Sequence, residues 1–221
     1  MFYEVFKYLE GALERRADSL VGDLLLPGMA RTAALEQDLA FYLGDGWREA
    51  YTVRREVADY LAHLAALEEQ DPYLLVPYIY HLYMGLMSGG QVLKTKRLLS
   101  LSSIAGTKEG EEGEGRPGYS VTHYGDATIG QLKRQLRKAM NELAEHLDEE
   151  TREAILVESV KVFQLNNSII GSVKGVNRLP PLCQPRPQGP EAAAGEAGDR
   201  PPAPGRLPPR PLLPGQGRVI V

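Results

Sequence analysis

A chain of 221 residues is long enough for one domain with a sizeable core, and its 43% hydrophobic and 24% charged content is ordinary for a globular protein. A formal net charge of -4 leaves no basic excess to drive counterion release, which excludes nucleic-acid binding by phosphate neutralisation. Cys183 is the single cysteine, which excludes an intrachain disulfide and a thiolate metal site and fits a reducing compartment.

In chain order, residues 1–16 read as a helix with Phe2, Val5, Phe6, Leu9 and Leu13 on one face. Its charges at helical spacing do not resemble a signal peptide, and no run of about 18 apolar residues predicts a membrane span. After a loop with Pro27 and Gly28, Thr32 is the expected cap of a second helix reaching about Leu43. Leu35, Leu39 and Tyr42 take core spacing there, and Gly44 ends it. A third helix spans about 54–69 with Val57, Tyr60, Leu61, Leu64 and Leu67 inward. Asp71-Pro72 supplies a cap and first-turn pair for a fourth helix running to about Leu99, whose early part Pro77 should disturb.

Residues 106–118 carry too much glycine and acid to pack and read as an exposed, flexible loop. Two further helices follow, about 128–147 and 149–174, the second with Ile155, Leu156, Val160, Phe163, Ile169 and Ile170 on its buried side. Twelve of the 16 prolines lie from Pro180 onward, so that stretch cannot bury enough surface to offset its ordering entropy. The expected architecture is all-α, with a helical domain over 1–177 and a disordered Pro/Gly-rich tail over 178–221.

The fourth helix is the most informative segment. Gly85 and Gly89 lie four apart on one face and Gly90 adds a third missing side chain. Each interior glycine costs about 1 kcal/mol relative to alanine, roughly 3 in total, and something must offset that. Bare backbone against a flat ligand is one explanation; close helix packing, or a helix break at Gly89-Gly90, is the other. Lys133 and Arg137 share a face at i and i+4, a pair suited to a carboxylate-bearing ligand and equally to a solvated basic face.

Three stretches carry a family resemblance. Ala33-Ala-Leu-Glu-Gln-Asp-Leu-Ala-Phe resembles the segment after the second helix of heme oxygenases. Gly85 and Ser88-Gly-Gly-Gln-Val-Leu resemble their distal helix. Lys133, Arg137, Met140 and Asn141, then Phe163, Leu165 and Asn166, are similar to the helices that hold and close the heme pocket. The resemblance covers roughly residues 2–172 and implies the heme oxygenase-like fold. It also implies heme b as substrate and prosthetic group, opened with dioxygen to biliverdin, carbon monoxide and ferrous iron, and an NADPH-dependent reductase as partner. On it, Tyr80, Lys133 and Arg137 contact propionates, Gly85, Gly89 and Gly90 face the ring, Phe163 lines the pocket and Asn166 joins the distal hydrogen bonds. It implies a cytoplasmic setting, at the endoplasmic reticulum face in some relatives.

Two departures qualify those expectations. The family's proximal helix, with its axial histidine, lies upstream of the stretch matched by Phe2 onward, so that ligand has no counterpart here. Leu86 stands where the family has the aspartate that holds a distal water, and a leucine neither donates nor accepts a hydrogen bond. Leu82 stands where an arginine is usual. Among the histidines, His63, His123 and His146 read as surface or structural, whereas His81 falls on the side of Gly85, where it is either an iron ligand or a packed core histidine, so the metal ligand stays unassigned. A catalytically inactive heme-binding or interaction protein of the same fold is the alternative. Pro201-Pro-Ala-Pro-Gly-Arg206 fits a pattern bound by proline-reading domains, which an inert proline-rich terminus also presents.

Overall fold

The computed structural model describes residues 1–92, 95, 117–125 and 127–173. Among them the chain is helical and contains no strand. The helices are α1 (Phe2–Glu14), α2 (Thr32–Leu43), α3 (Trp47–Ala50), α4 (Arg55–Gln70), α5 (Val76–Gly85), α6 (Ile129–Glu145) and α7 (Glu149–Gly171). Short 3-10 turns occur at Gly22–Leu24, Pro72–Leu75 and Ser120–Thr122. Of the acidic glycine-rich segment only Pro117 and Gly118 are described, and the tail expected over 178–221 lies outside the described residues.

Helix starts follow from local chemistry. Thr128 accepts from the Gln131 backbone N–H at 3.3 Å while the Gln131 side chain accepts from Thr128, a reciprocal capping box opening α6. Asp148 accepts from Thr151 at 2.8 Å ahead of α7, and Asp71 accepts from Tyr73 at 2.9 Å ahead of the Pro72–Leu75 turn. The start of α2 departs from expectation. Thr32 is its first residue, its hydroxyl is buried without a hydrogen bond, and the cap comes from Glu10 of α1. The Glu10 carboxylate accepts from the backbone N–H of Arg31 at 2.5 Å and of Thr32 at 3.1 Å. A full negative charge at a helix N-terminus outcompetes a neutral hydroxyl for those donors.

The core gathers round α5. Tyr78, Ile79, Leu82 and Tyr83 are buried, and α5 packs on α7, while α1 packs on α4 and Phe6 sets its ring edge on Tyr83 with centroids 5.1 Å apart. Fully burying side chains of this size stabilises the fold by about 1.5–3 kcal/mol each. Pro77 causes no disturbance, because α5 restarts at Val76 and places Pro77 in the first turn, where no intrahelical N–H bond is required. The expected unbroken fourth helix is instead three pieces: the 3-10 turn, α5, and a π-helical turn at Leu86–Gly90 before helix resumes at Gln91 and Val92. Single π turns widen a helix and collect at functional sites.

Two faces differ from the periodicity reading. Helix α7 packs through Ile155, Val162 and Ile169, a stripe of residues seven apart. Leu156, Val160, Phe163 and Ile170 were expected inward, yet they are 50%, 60%, 54% and 42% exposed because no described element covers that neighbouring stripe. In α2, Leu35 and Leu39 are half-buried and Tyr42 is exposed; the residue α2 buries is Asp38, which accepts from the backbone of Ser120 and Val121 at 2.8 and 2.9 Å.

Candidate functional site

The uncovered stripe of α7 and the outer face of α5 form the walls of a groove of about 320 Å3, within the ~300–1,000 Å3 range of small-molecule pockets. Pro77, Tyr80 and His81 line it from α5, and Ile155, Leu156, Ser159, Val160, Phe163, Gln164 and Asn167 from α7, with Met140 of α6 adding a thioether. Ser159 spends its hydroxyl on the Ile155 carbonyl at 3.1 Å, so the lining is mostly apolar. The sequence reading missed Ser159, Gln164 and Asn167 because none is hydrophobic; the signal available was the four-residue spacing from Ile155 through Ser159 and Phe163 to Asn167.

His81 stands against Phe163 with ring centroids 4.9 Å apart, and against the ring edge of Tyr80 at 5.7 Å. Burial pushes its imidazole pKa below the ordinary value, which favours the neutral ring. The other histidines are engaged elsewhere. His63 Nε2 lies 2.5 Å from Glu158, His123 Nδ1 accepts from the Gly125 N–H at 3.4 Å, and His146 Nδ1 meets the Glu142 carbonyl at 2.8 Å.

The three glycines separate. A Cβ on Gly85 or Gly89 would meet nothing within 4 Å, so both present bare backbone to open space. A Cβ on Gly90 would lie 3.1 Å from Leu86 Cδ1 and 3.4 Å from Thr122 Cγ2, which makes Gly90 a packing residue. The Leu86 side chain therefore folds back over Gly90, and Leu82 is buried in the core.

On α6, Lys133 is half-buried and Arg137 exposed, and they share a face with Met140. Neither forms an ion pair or hydrogen bond among the described residues, unlike Lys138, which pairs with Glu142 at 3.4 Å. Asn166 does not line the groove; its Oδ1 accepts from the Tyr60 hydroxyl at 3.2 Å, between α4 and α7. Beside it, Glu158 accepts from the Tyr78 hydroxyl, and burial, reinforced by that bond, pushes the Tyr78 phenol far above its ordinary range. Among the described residues no group of three His, Cys, Asp or Glu side chains is placed to hold a metal ion.

The described residues thus bring an apolar groove lined by an imidazole together with bare helix backbone and two cations that find no partner among them. The family model for heme oxygenase matches residues 1–171. This chain belongs to the heme oxygenase family. It is 32% identical to heme oxygenase 1 of Bos taurus over 178 residues, covering 79% of this chain and 57% of that protein. It is also 32% identical to the heme oxygenase of Takifugu rubripes over 166 residues, covering 74% and 56%. The chain thus spans a little over half the length of these relatives.

Solved heme oxygenases share the fold. Heme oxygenase-1 of the cyanobacterium Synechocystis, in complex with heme, aligns with a TM-score of 0.66 at 27% identity over 79% of this chain and 74% of that one. Heme oxygenase 2 of Chlamydomonas reinhardtii, solved without heme, gives 0.65 at 29% identity over 77% and 78%. The expected all-α heme oxygenase fold is what the described residues form. None of their helices is long and apolar enough to cross a membrane.

Proposed function

We propose that this chain binds heme b in and beside the groove, as the substrate of the heme oxygenase reaction. The observation that carries the reading is the bare backbone of Gly85 and Gly89, open to solvent on the helical segment whose earlier residues Tyr80 and His81 line the groove. A flat ring needs such an approach, and each glycine otherwise weakens the helix. Heme, once bound, supplies the redox chemistry that opens its own ring to biliverdin, carbon monoxide and ferrous iron.

The chain's own contribution is placement. Lys133 and Arg137 have no counter-ion among the described residues and serve the propionates, with Arg137 able to grip a carboxylate by two parallel bonds. Tyr80, which lines the groove from α5, joins them at the propionates, and Phe163 lines the pocket from α7. Asn166, held by Tyr60, positions α7 against α4. The electron donor is an NADPH-dependent reductase and the setting is cytoplasmic, as family relationship implies. The proline-reading motif at 201–206 lies outside the described residues.

One observation favours a second reading, heme binding without turnover. Leu86 is packed onto Gly90 and offers no hydrogen bond where the family resemblance places a water-holding aspartate. A hemin titration followed by visible absorbance, then ascorbate in air, tests both. A saturable shifted Soret band that decays as a bilin band grows supports ring opening. A stable Soret band supports binding alone, and the absence of any saturable shift overturns the heme reading.

A further inference from the structure

The groove has more apolar wall than the described residues cover. Leu156, Val160 and Phe163 of α7 are each at least half exposed along it, and Pro77, Tyr80 and His81 of α5 line the other side. Along α7 it runs from Ile155 to Asn167, about 18 Å at the rise of an α-helix. At the Ile155 end stands the turn between α6 and α7. There Glu145, Asp148, Glu149, Glu150 and Glu153 are all exposed, beside Arg152, which pairs with Glu149. An aromatic-lined groove with an acidic end is the surface that a basic polyproline segment fits, because such segments lay their proline faces on aromatic rings.

The sequence that follows α7 contains a segment of that kind. Arg206-Leu-Pro-Pro-Arg-Pro-Leu-Leu-Pro214 repeats proline every three residues, at Pro208, Pro211 and Pro214, which share one face of a polyproline helix. Leu207, Arg210 and Leu213 directly precede them on the adjoining face, and Leu207 to Leu213 covers about 19 Å in that conformation, the length of the groove. Residues 200–221 carry Arg200, Arg206, Arg210 and Arg218 and no acidic residue, a charge opposite to that of the α6–α7 turn. The distance from Gly171 back to Ile155 is about 24 Å along the helix. A coil of the length of 174–206 spans on the order of 30 Å, enough to make that return. We infer that Arg206–Pro214 docks in the groove of its own chain and competes there with other ligands. The competition with hemin rests on the heme-binding reading; the docking does not.

The test uses the full chain with the photo-crosslinker benzoylphenylalanine in place of Leu212, which this register leaves on the third face. Irradiating an equal mixture of chains labelled with 14N and 15N, then mapping adducts by mass spectrometry, separates contacts within a chain from contacts between chains. The expected result is adducts within one chain, on 77–81 or 155–167, largely lost in Leu207→Asp/Leu213→Asp and in Val160→Asp. Circular dichroism should show all variants as helical as wild type. In a hemin titration Leu207→Asp/Leu213→Asp should bind about tenfold more tightly, as follows from an effective concentration on the order of 1 mM and a docking constant of roughly 0.1 mM. Adducts absent from the groove overturn the docking. Adducts between differently labelled chains also overturn it, and assign the groove to a second copy. Groove adducts with an unchanged, saturable hemin affinity overturn the placement of hemin in the groove and leave the docking standing. No saturable Soret shift in either protein overturns the heme reading alone.

Discussion

Tyr83 and His81 sit two residues apart near the end of α5 and meet opposite surroundings. Tyr83 is fully buried, and its hydroxyl donates at 2.8 Å to Glu10, itself the cap of α2. Tyr78, also fully buried, donates to Glu158, which also takes His63. On the outward side His81 has no hydrogen bond among the described residues, and Gly85 and Gly89 carry no side chain into open space. A polar group with all its bonds made holds the fold, whereas polar groups left unpaired beside a groove are available to a ligand. The helix therefore divides its work by face, and substitutions on the two faces should separate stability from binding.

The largest effect belongs to Glu10. Glu10→Ala strands the Tyr83 hydroxyl and the Arg31 and Thr32 backbone donors in a buried region. The unfolding free energy in urea should fall by about 3–5 kcal/mol, since several buried donors lose their acceptor together. Glu10→Gln keeps an acceptor and should lose less than half as much. A loss under about 1 kcal/mol for the alanine variant would mean that the inward network is not what holds α1, α2 and α5 together.

Glu158→Ala comes next, at about 2 kcal/mol, because one oxygen serves both Tyr78 and His63 and the site is only partly buried. The same variant should leave hemin affinity within about threefold, given that none of these three residues lines the groove. A stable Glu158→Ala protein with greatly weakened hemin binding would break the separation of faces.

Much of this division was legible in the sequence, and its failures have physical causes. The starts at Asp71, Thr128 and Asp148 are visible because the capping side chain is within three residues of the donor it serves. The α2 cap is invisible because Glu10 lies 21 residues from Arg31, so only the folded α1 brings it there. Gly89-Gly90 signalled an irregular helix, but not that the irregularity would be a π turn or that Gly90 alone would be packed. Periodicity placed Leu156, Val160 and Phe163 inward, since it detects apolar stripes without knowing whether a neighbour covers them. That error is what exposes the groove.

Gly85→Ala has the opposite sign from the variants above. The backbone there is helical and a Cβ would meet nothing within 4 Å, so alanine should raise stability by about 0.5–1 kcal/mol. The same methyl stands where a flat ring would approach, so hemin affinity should drop while the melting temperature rises. Unchanged affinity in a stabilised Gly85→Ala protein would remove the ligand explanation for that glycine. Gly90→Ala should give less stabilisation or none, because its Cβ must displace Leu86 and press on Thr122.

The smallest effect tests whether having partners is enough. Glu68 accepts from Arg15 at 2.8 and 3.1 Å and from the Tyr8 hydroxyl at 2.6 Å, yet Arg15 is 56% exposed. The Arg15 hydrogen bonds, opposed by partial burial and aided by Tyr8, hold the Glu68 carboxyl below its ordinary range. A folded-state pKa below the unfolded value means stability that is present above about pH 4.3 and is lost as pH falls through the folded pKa. Glu68→Gln should therefore be less stable than wild type by at most about 1 kcal/mol near neutrality, because water screens the exposed partner. Urea unfolding at neutral pH and again well below the carboxylate range should show that difference shrinking toward zero. A difference that persists in acid would assign it to packing of Tyr8 rather than to charge. A difference as large as that for Glu10 would show that burial does not set the scale on this molecule.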